Sequence, residues 1–253
     1  MKTAFIIRVS LLLSCCAFLW SMPKENIVPN QFSASAQINH SDIHMPWSAL
    51  LQLHVSEQGA VNYSSFLKNK SDVEAYLEIL NKNKPNTTWT KNETLAFYIN
   101  MYNAGTVLLV LNNYPVQSIK DINTPWDTPF LKLNEQPISL GEIEHEVLRK
   151  MNEPRIHFAI NCASFSCPKL VNNAFMASTL ERQLEKATKD FVNDSSKNNL
   201  TGEVLQLSKI FKWYKNDFTE DGDILSFLQK YSTTPISGNA SIRYNSYNWD
   251  LNE

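Results

Sequence analysis

Residues that could do covalent chemistry are concentrated in segment 155–168. His157 stands in a short apolar run, and Cys162 and Cys167 follow in a loop of small residues. A thiol beside an imidazole is the usual machinery of a cysteine nucleophile. Histidine and cysteine also bind metals, and two cysteines in an exported protein often form a disulfide. The segment is therefore consistent with a nucleophile, a metal site or a disulfide.

The two cysteines differ in their expected surroundings. A Cys162–Cys167 disulfide closes a small ring, for which loop-closure entropy gives about 2–3 kcal/mol. Pro168 is typical of a first helical turn, so we expect Cys167 at a helix N-terminus, where a thiolate is favoured. Cys162 directly follows the predicted strand 155–160 and is the better fixed sulfur. We therefore prefer Cys162 as the nucleophile.

A base for that nucleophile would come from His157 or His145. An unbroken strand would put His157 and Cys162 on opposite faces, and a turn at Asn161 would relax this. His145 shares a helix face with Glu142, a spacing that also occurs in metal sites. Glu142 is a candidate site carboxylate, although a capping box with Ser139 already gives it a structural role.

Asn161 completes the candidate catalytic set. Together with backbone amides of the loop, it would stabilise an oxyanion. A zinc site would instead combine both histidines and both cysteines, but the Cys-x4-Cys spacing matches no standard zinc motif. We predict no metal and no cofactor.

A long central helix must position this segment. Thr90 and Glu93 form a capping box, and the following residues are apolar nearly all round until 113–115, which predicts burial in the domain centre. Asn100 and Asn103 lie one turn apart on this helix. Because buried amides must be hydrogen-bonded, we expect them to clamp a neighbouring loop or a ligand.

The remaining periodicity predicts a mixed α+β domain over residues 45–253, with a small sheet around the buried helix. Helices are expected near 47–53 and 73–80 and over 139–151, 180–192 and 223–231, and a strand over 204–207. Aromatic residues at 211–218 are expected to pack in the core or to wall the cysteine loop.

The first 44 residues predict export. Segment 1–22 has the charge and apolar run of a signal peptide, and 23–44 is a polar leader. The sequence before Cys15 loosely resembles a lipobox, so the alternatives are a lipid anchor at Cys15 and an uncleaved membrane anchor. No later segment is expected to span a membrane. A net charge of -2 gives no reason to expect a nucleic acid partner. We predict a periplasmic or secreted protein.

Three motifs carry a family resemblance. Segments 95–104, 155–168 and 211–218 resemble the domain of unknown function 547 family, over roughly residues 45–231. The resemblance implies no reaction; in plants the domain accompanies coiled coils in proteins thought to mediate interactions. The histidine and cysteines invite comparison with papain-like and transglutaminase-like folds. Because both histidines precede the cysteines here, only a circularly permuted version of those folds would fit.

Two functions follow from these residues. The first is a thiol-dependent hydrolase or acyltransferase acting on an amide or thioester bond of a protein or peptide-like substrate. The second is a non-catalytic binding module of the cell envelope, in which a Cys162–Cys167 disulfide holds the loop. A labile disulfide that senses redox conditions is a third reading.

Overall fold

The computed structural model describes residues 42–253, which belong to one compact unit. The predicted signal peptide, nearly all of the predicted leader and Cys15 lie outside the described residues. The described residues form helices and two small sheets of two strands each, which confirms the predicted α+β class.

The predicted central helix is present as α4, Lys91–Asn113, and it is buried from Leu95 to Leu111. Both capping-box bonds form, since Glu93 N–H donates to Thr90 Oγ1 and Thr90 N–H donates to Glu93 Oε2. By length and mean hydropathy alone α4 would qualify as a membrane span. Its most apolar window is 94% buried inside the protein, as in the core helix of a folded domain.

Helices α1–α3 pack against one another, and α3 makes most of their contact with α4. Their bounds are α1 Met45–His54, α2 Tyr63–Phe66 and α3 Lys70–Lys82, and α1 and α3 confirm the predicted helices. The indole of Trp47 stacks on Tyr76 at 5.8 Å and on Phe66 at 6.0 Å, and all three rings are buried. Burying such rings supplies much of the stability of this half of the core.

The second core lies between α5, Leu180–Val192, and the short helices that follow it: α6 Ile210–Trp213, α7 Lys215–Phe218 and α8 Ile224–Tyr231. Phe158 packs here against Phe191, Phe211 and Phe218, with ring centroids 5.2 to 5.7 Å apart. Helices α5 and α8 confirm the predicted ones. Because Phe158 belongs to this cluster, its neighbour His157 lies close to α7.

The two sheets are small. Strands β1, Leu131–Leu133, and β2, Gln136–Ile138, form an antiparallel hairpin that the sequence analysis did not predict. Asn134 and Glu135 turn it with φ of 53° and 61°, as a type I′ turn requires. Strand β3, Val204–Leu207, was predicted and pairs in parallel with β4, Ser241–Tyr244.

Two local predictions around the cysteines were wrong. Residues 155–160 are not a strand: Pro154–Phe158 is a 3-10 helix, and the Glu153 side chain accepts a hydrogen bond from Arg155 N–H at its start. Proline at the first helical position favours this form, and a short apolar run does not separate strand from helix. No helix begins at Pro168 either, so Cys167 has no helix N-terminus beside it.

Candidate functional site

The cysteine loop, residues 161–168, is held by buried asparagines. Asn103 Nδ2 donates to Ala159 O at 2.9 Å, and Asn103 Oδ1 accepts from Asn161 N–H at 2.8 Å. Asn161 in turn donates from Nδ2 to Pro168 O at 2.7 Å and accepts from Ala163 N–H at 2.8 Å. These bonds tie α4 to both ends of the loop.

The amide of Asn161 is therefore already used. Its nitrogen holds Pro168 O, and the residue is only 3% exposed. We expected this amide to stabilise an oxyanion; its nitrogen carries two hydrogens, and one of them already makes the bond that closes the loop. Ala163, next to Cys162, has φ of 56°, an uncommon conformation for a residue with a Cβ. Because its N–H is bound to Asn161 Oδ1, Asn161 supports this strained turn.

The two sulfur atoms lie side by side. Cys162 Sγ is 3.1 Å from Cys167 Sγ, and both thiols are free. Cys162 is half-buried and Cys167 is buried. Hydrogen bonding to Cys167, Ser164 and Tyr247 outweighs burial and lowers the pKa of Cys162 to about 7. Burial, together with the neighbouring sulfur, raises the pKa of Cys167. Cys162 is thus the sulfur that ionises near neutral pH.

Two hydroxyls complete the surroundings of Cys162. Ser164 Oγ lies 3.2 Å and Tyr247 Oη 3.5 Å from its sulfur. Tyr247 belongs to residues 245–253, which we call the closing segment. The closing segment crosses the cysteine loop, where Phe165 N–H donates to Asp250 O and Ser166 N–H donates to Asn248 O. Backbone pairing therefore brings the tyrosine to the thiol.

His157 is held from one side. Its Nε2 lies 2.8 Å from Asp217 Oδ2, and Asp217 accepts two further hydrogen bonds from Arg149, each 2.7 Å long. Although burial disfavours its charge, hydrogen bonds from Arg149 and His157 keep the pKa of Asp217 well below its usual range. An ionised carboxylate accepts only, so the His157 proton is assigned to Nε2.

The other ring nitrogen of His157 is unpartnered. Nδ1 is buried and makes no hydrogen bond with any described residue. Burial lowers the pKa of His157, against the raising influence of Asp217 and Glu144, so the ring is neutral at pH 7. Tyr214 stacks on it at 3.8 Å between ring centroids. Leaving a buried acceptor such as Nδ1 without a hydrogen bond costs free energy and therefore calls for an explanation. A role of Nδ1 as a general base would provide that explanation.

No hydrogen bond joins either cysteine to a histidine among the described residues. The partners of Cys162 Sγ are Cys167, Ser164 and Tyr247, and His157 Nδ1 has none. The cysteine–histidine dyad that the sequence suggested is therefore not formed in advance. Such contacts are often long in the absence of substrate.

The segment before His157 contributes a different acid from the one predicted. Ser139 N–H donates to Glu142 and Glu142 N–H donates to Ser139, so the predicted capping box is confirmed. It opens a turn into the π-helix Glu142–Val147, an uncommon form that often marks functional sites. Glu142 is exposed, and the π-helix instead buries Glu144. His145 is half-exposed, with Nδ1 3.9 Å from Glu144 Oε1.

A cavity of about 370 Å³ collects these groups, and we call it the thiol cavity. Both cysteines, both candidate histidines and Glu144 line it, whereas Glu142, Asn161, Asn100 and Asn103 do not. Six aromatic side chains form much of its wall: Tyr102, Trp126, Trp213, Tyr214, Tyr247 and Trp249. A second cavity of about 540 Å³ also reaches Cys167, but Cys162 and the two histidines do not line it. We therefore take the thiol cavity as the candidate site.

Asn100 and Asn103 each clamp a neighbouring loop, which is one of the two roles predicted for them. Asn100 Nδ2 donates to Phe175 O at 2.7 Å, and Asn100 Oδ1 accepts from Phe175 N–H at 2.9 Å. Asn103 does the same for the cysteine loop. Since both amides are committed to backbone groups, they position the site rather than contact a ligand.

Three residues of the site were missed from sequence: Glu144, Asp217 and Tyr247. Asp217 lies in the aromatic segment 211–218, which was expected to pack in the core or against the cysteine loop. That expectation was the only feature of the sequence that pointed to one of these three residues. The four residues of the rejected zinc set form no metal-binding group within residues 42–253.

Comparison with known proteins identifies a family match. Residues 86–192 match the family model described as protein of unknown function, DUF547, a narrower span than the resemblance over 45–231. The match includes the cysteine loop and both histidines, while Asp217 and Tyr247 lie outside it. No curated protein and no solved structure matches the chain.

Proposed function

We propose that this chain, which belongs to the DUF547 family of proteins of unknown function, is an exported thiol-dependent hydrolase or acyltransferase acting on an amide or thioester bond. The observation that carries the proposal is the pairing of two prepared groups in one cavity. Cys162 has three hydrogen-bonding neighbours that favour its thiolate, and His157 has its tautomer set by Asp217.

The proposed first step uses the Cys162 thiolate. Its sulfur forms a bond to the acyl carbon, and the bond from that carbon to the leaving nitrogen or sulfur breaks. The leaving atom takes up the proton that the thiol gave up. A thiolate held by neutral donors needs no contact with the imidazole before the substrate enters.

The proposed second step uses His157. Its Nδ1 accepts the proton of a water or acceptor molecule as that molecule attacks the acyl carbon, and Cys162 leaves as thiolate. Asp217 stabilises the imidazolium formed, as the acid does in a catalytic triad. The imidazolium then returns its proton to Cys162 through solvent, which restores the starting state, so that in total the acyl group is transferred and one proton moves from the acceptor to the leaving group.

The second candidate function is a binding or redox role with a Cys162–Cys167 disulfide. It is favoured by the 3.1 Å separation of the sulfurs, which a small movement would reduce to a bond of about 2.05 Å. The bond would form with loss of two protons and of two electrons to an oxidant such as a low-molecular-weight disulfide. The lowered pKa of Cys162 and the raised pKa of Cys167 suit such thiol–disulfide exchange.

Export is part of the proposal and rests on segment 1–22. Its test is the mass of the mature protein recovered from the cell envelope or medium. A chain that begins after residue 22 supports a signal peptide, and a lipid-modified Cys15 supports an anchor. An uncleaved chain in the cytoplasm would contradict both.

The chemistry is tested by counting and labelling thiols in the mature protein. We expect two free thiols after denaturation and rapid, stoichiometric iodoacetamide labelling of Cys162 in the native state. Cys162→Ser should abolish the labelling, and Cys167→Ser should keep it at a lower rate at pH 7. Absence of any free thiol in the mature form would rule out the nucleophile and favour the second candidate.

A further inference from the structure

Glu144 is a buried carboxylate that forms no ion pair within 4 Å with a lysine or arginine of residues 42–253, although Arg149 interacts with it from farther away. Its side chain is 6% exposed. Tyr214 Oη donates to its Oε1, and the described residues give no hydrogen bond to its Oε2. The nearest basic group is His145, 3.9 Å away and charged only when protonated. Because burying a carboxylate is costly, such a group is normally paired with a cation.

The walls around Glu144 suit a cation as well. Trp126, Trp213 and Trp249 line the thiol cavity, and Trp213 remains 46% exposed. Indole faces attract cations more strongly than other side chains do. Trp249 already has Lys120 Nζ at 5.3 Å from its ring centroid.

The charges that line the thiol cavity have one sign. Asp127 and Glu144 are its carboxylates, Cys162 adds a fraction of a charge as thiolate, and no lysine or arginine lines it. Arg149 lies over Tyr214, but its charge is paired with Asp217. A cavity lined by carboxylates and aromatic faces favours cationic ligands and disfavours anionic ones.

We propose that the thiol cavity binds an alkylammonium group, with Glu144 pairing its charge and the tryptophan faces contacting its methylene groups. The inference rests on the proposed function, because it assigns the acyl donor or acceptor to amine-bearing molecules. The charged nitrogen would lie between Glu144 and the aromatic wall, in the same cavity as Cys162 and His157.

The test is a titration with n-butylammonium and with 1-butanol, a neutral molecule of nearly the same size. The tryptophans of the cavity report binding through their fluorescence. We expect n-butylammonium to bind the full chain with a Kd roughly tenfold lower than that of 1-butanol, as a paired charge and a cation–π contact together allow. Equal Kd values for the two compounds would overturn the proposal.

Variants locate the effect. Glu144→Gln should remove the preference for n-butylammonium, whereas Glu146→Gln, the same change at an exposed position of the same π-helix, should keep it. A preference that persists in Glu144→Gln would contradict the pairing. If Glu144→Gln does not fold, a comparison of Trp213→Leu with Trp213→Phe tests the proposal instead. Only the leucine variant should lose affinity for n-butylammonium, and both variants should keep their affinity for 1-butanol.

The same titration in Cys162→Ser separates this inference from the proposed function. A cation preference in that variant, with no reactive thiol in the native protein, would support the cavity assignment and reject the chemistry. A reactive Cys162 without any cation preference would reject the ligand class and leave the chemistry standing.

Discussion

Asp217 Oδ2 lies 2.8 Å from His157 Nε2, although the two residues are 60 positions apart in the chain. This one contact decides which nitrogen of the imidazole is free. Because the carboxylate holds the Nε2 proton, the lone pair is left on the buried Nδ1, and His157 lines the same cavity as Cys162. A carboxylate bound to an imidazole in this way is also found in catalytic triads, where it orients the histidine; here neither residue is hydrogen-bonded to the thiol.

Asp217→Asn should move the proton of His157 from Nε2 to Nδ1. An asparagine can donate to Nε2, and Nδ1 would then carry the proton and could no longer act as a base. We expect turnover of any acyl substrate to fall roughly 10²- to 10⁴-fold, as in triads whose acid is replaced. Nitrogen NMR of the imidazole checks the tautomer directly. Asp221→Asn, an exposed carboxylate in the same region, is the control and should change neither quantity.

Cys162 alkylation should rise with pH through a midpoint near 7, because the thiolate is the reactive form. Tyr247→Phe removes one donor to that thiolate, so the midpoint should move to higher pH and the rate at pH 6.5 should fall severalfold. The measurement is the rate of iodoacetamide labelling between pH 5 and pH 9. Tyr244→Phe, a half-buried tyrosine in the preceding strand, should leave the profile unchanged. An unshifted profile in Tyr247→Phe would show that this hydroxyl does not support the thiolate.

The paired asparagines of α4 offer a matched comparison. Asn103→Ala and Asn100→Ala each leave two buried backbone groups unsatisfied, so each should lower the free energy of unfolding by about 2–4 kcal/mol. Asn103→Ala should also change the alkylation midpoint of Cys162, since it frees the cysteine loop, whereas Asn100→Ala should not. Urea titration and labelling measure the two effects. Equal effects of both variants on Cys162 would show that the clamp acts through stability alone.

Acid should destabilise the protein through His44. This imidazole is 2% exposed, its Nδ1 lies 2.8 Å from Tyr76 Oη, and burial lowers the pKa of His44 to about 4. Below pH 6.5 His44 is protonated in the unfolded chain but stays neutral in the folded protein. The free energy of unfolding therefore falls until the pH reaches about 4. Since one pKa unit corresponds to about 1.4 kcal/mol, His44 should lower the free energy of unfolding by roughly 3 kcal/mol over this pH range.

His44→Gln keeps a polar partner for Tyr76 but cannot be protonated in this range. Unfolding by urea at pH 7, 5.5 and 4.5 should therefore show a shallower loss of stability in this variant. Tyr76→Phe retains the buried imidazole and should keep the steep loss. A wild-type profile that is flat between pH 6.5 and 4.5 would contradict the prediction.

Local signals predicted most elements correctly. The capping box at Thr90 and Glu93 involves neighbouring residues, so the start of α4 could be read from sequence. The run 155–160 could not, because a few apolar residues fit both a strand and a 3-10 helix, and its outcome depends on where Phe158 packs. The same ambiguity affected Cys167, since Pro168 is compatible with a helix start and with the closed loop observed.

The sequence by itself determined the reactive residue types and the buried helix with its two asparagines. It also pointed to His157 and His145 as the candidate bases. Only the tertiary structure decided which carboxylates and hydroxyls meet them. Asp217, Tyr247 and Glu144 reach the site through aromatic packing, strand-like pairing of the closing segment and a π-helical turn. Contacts between positions 60 to 85 apart leave no periodicity in the sequence, because they depend on how whole elements pack.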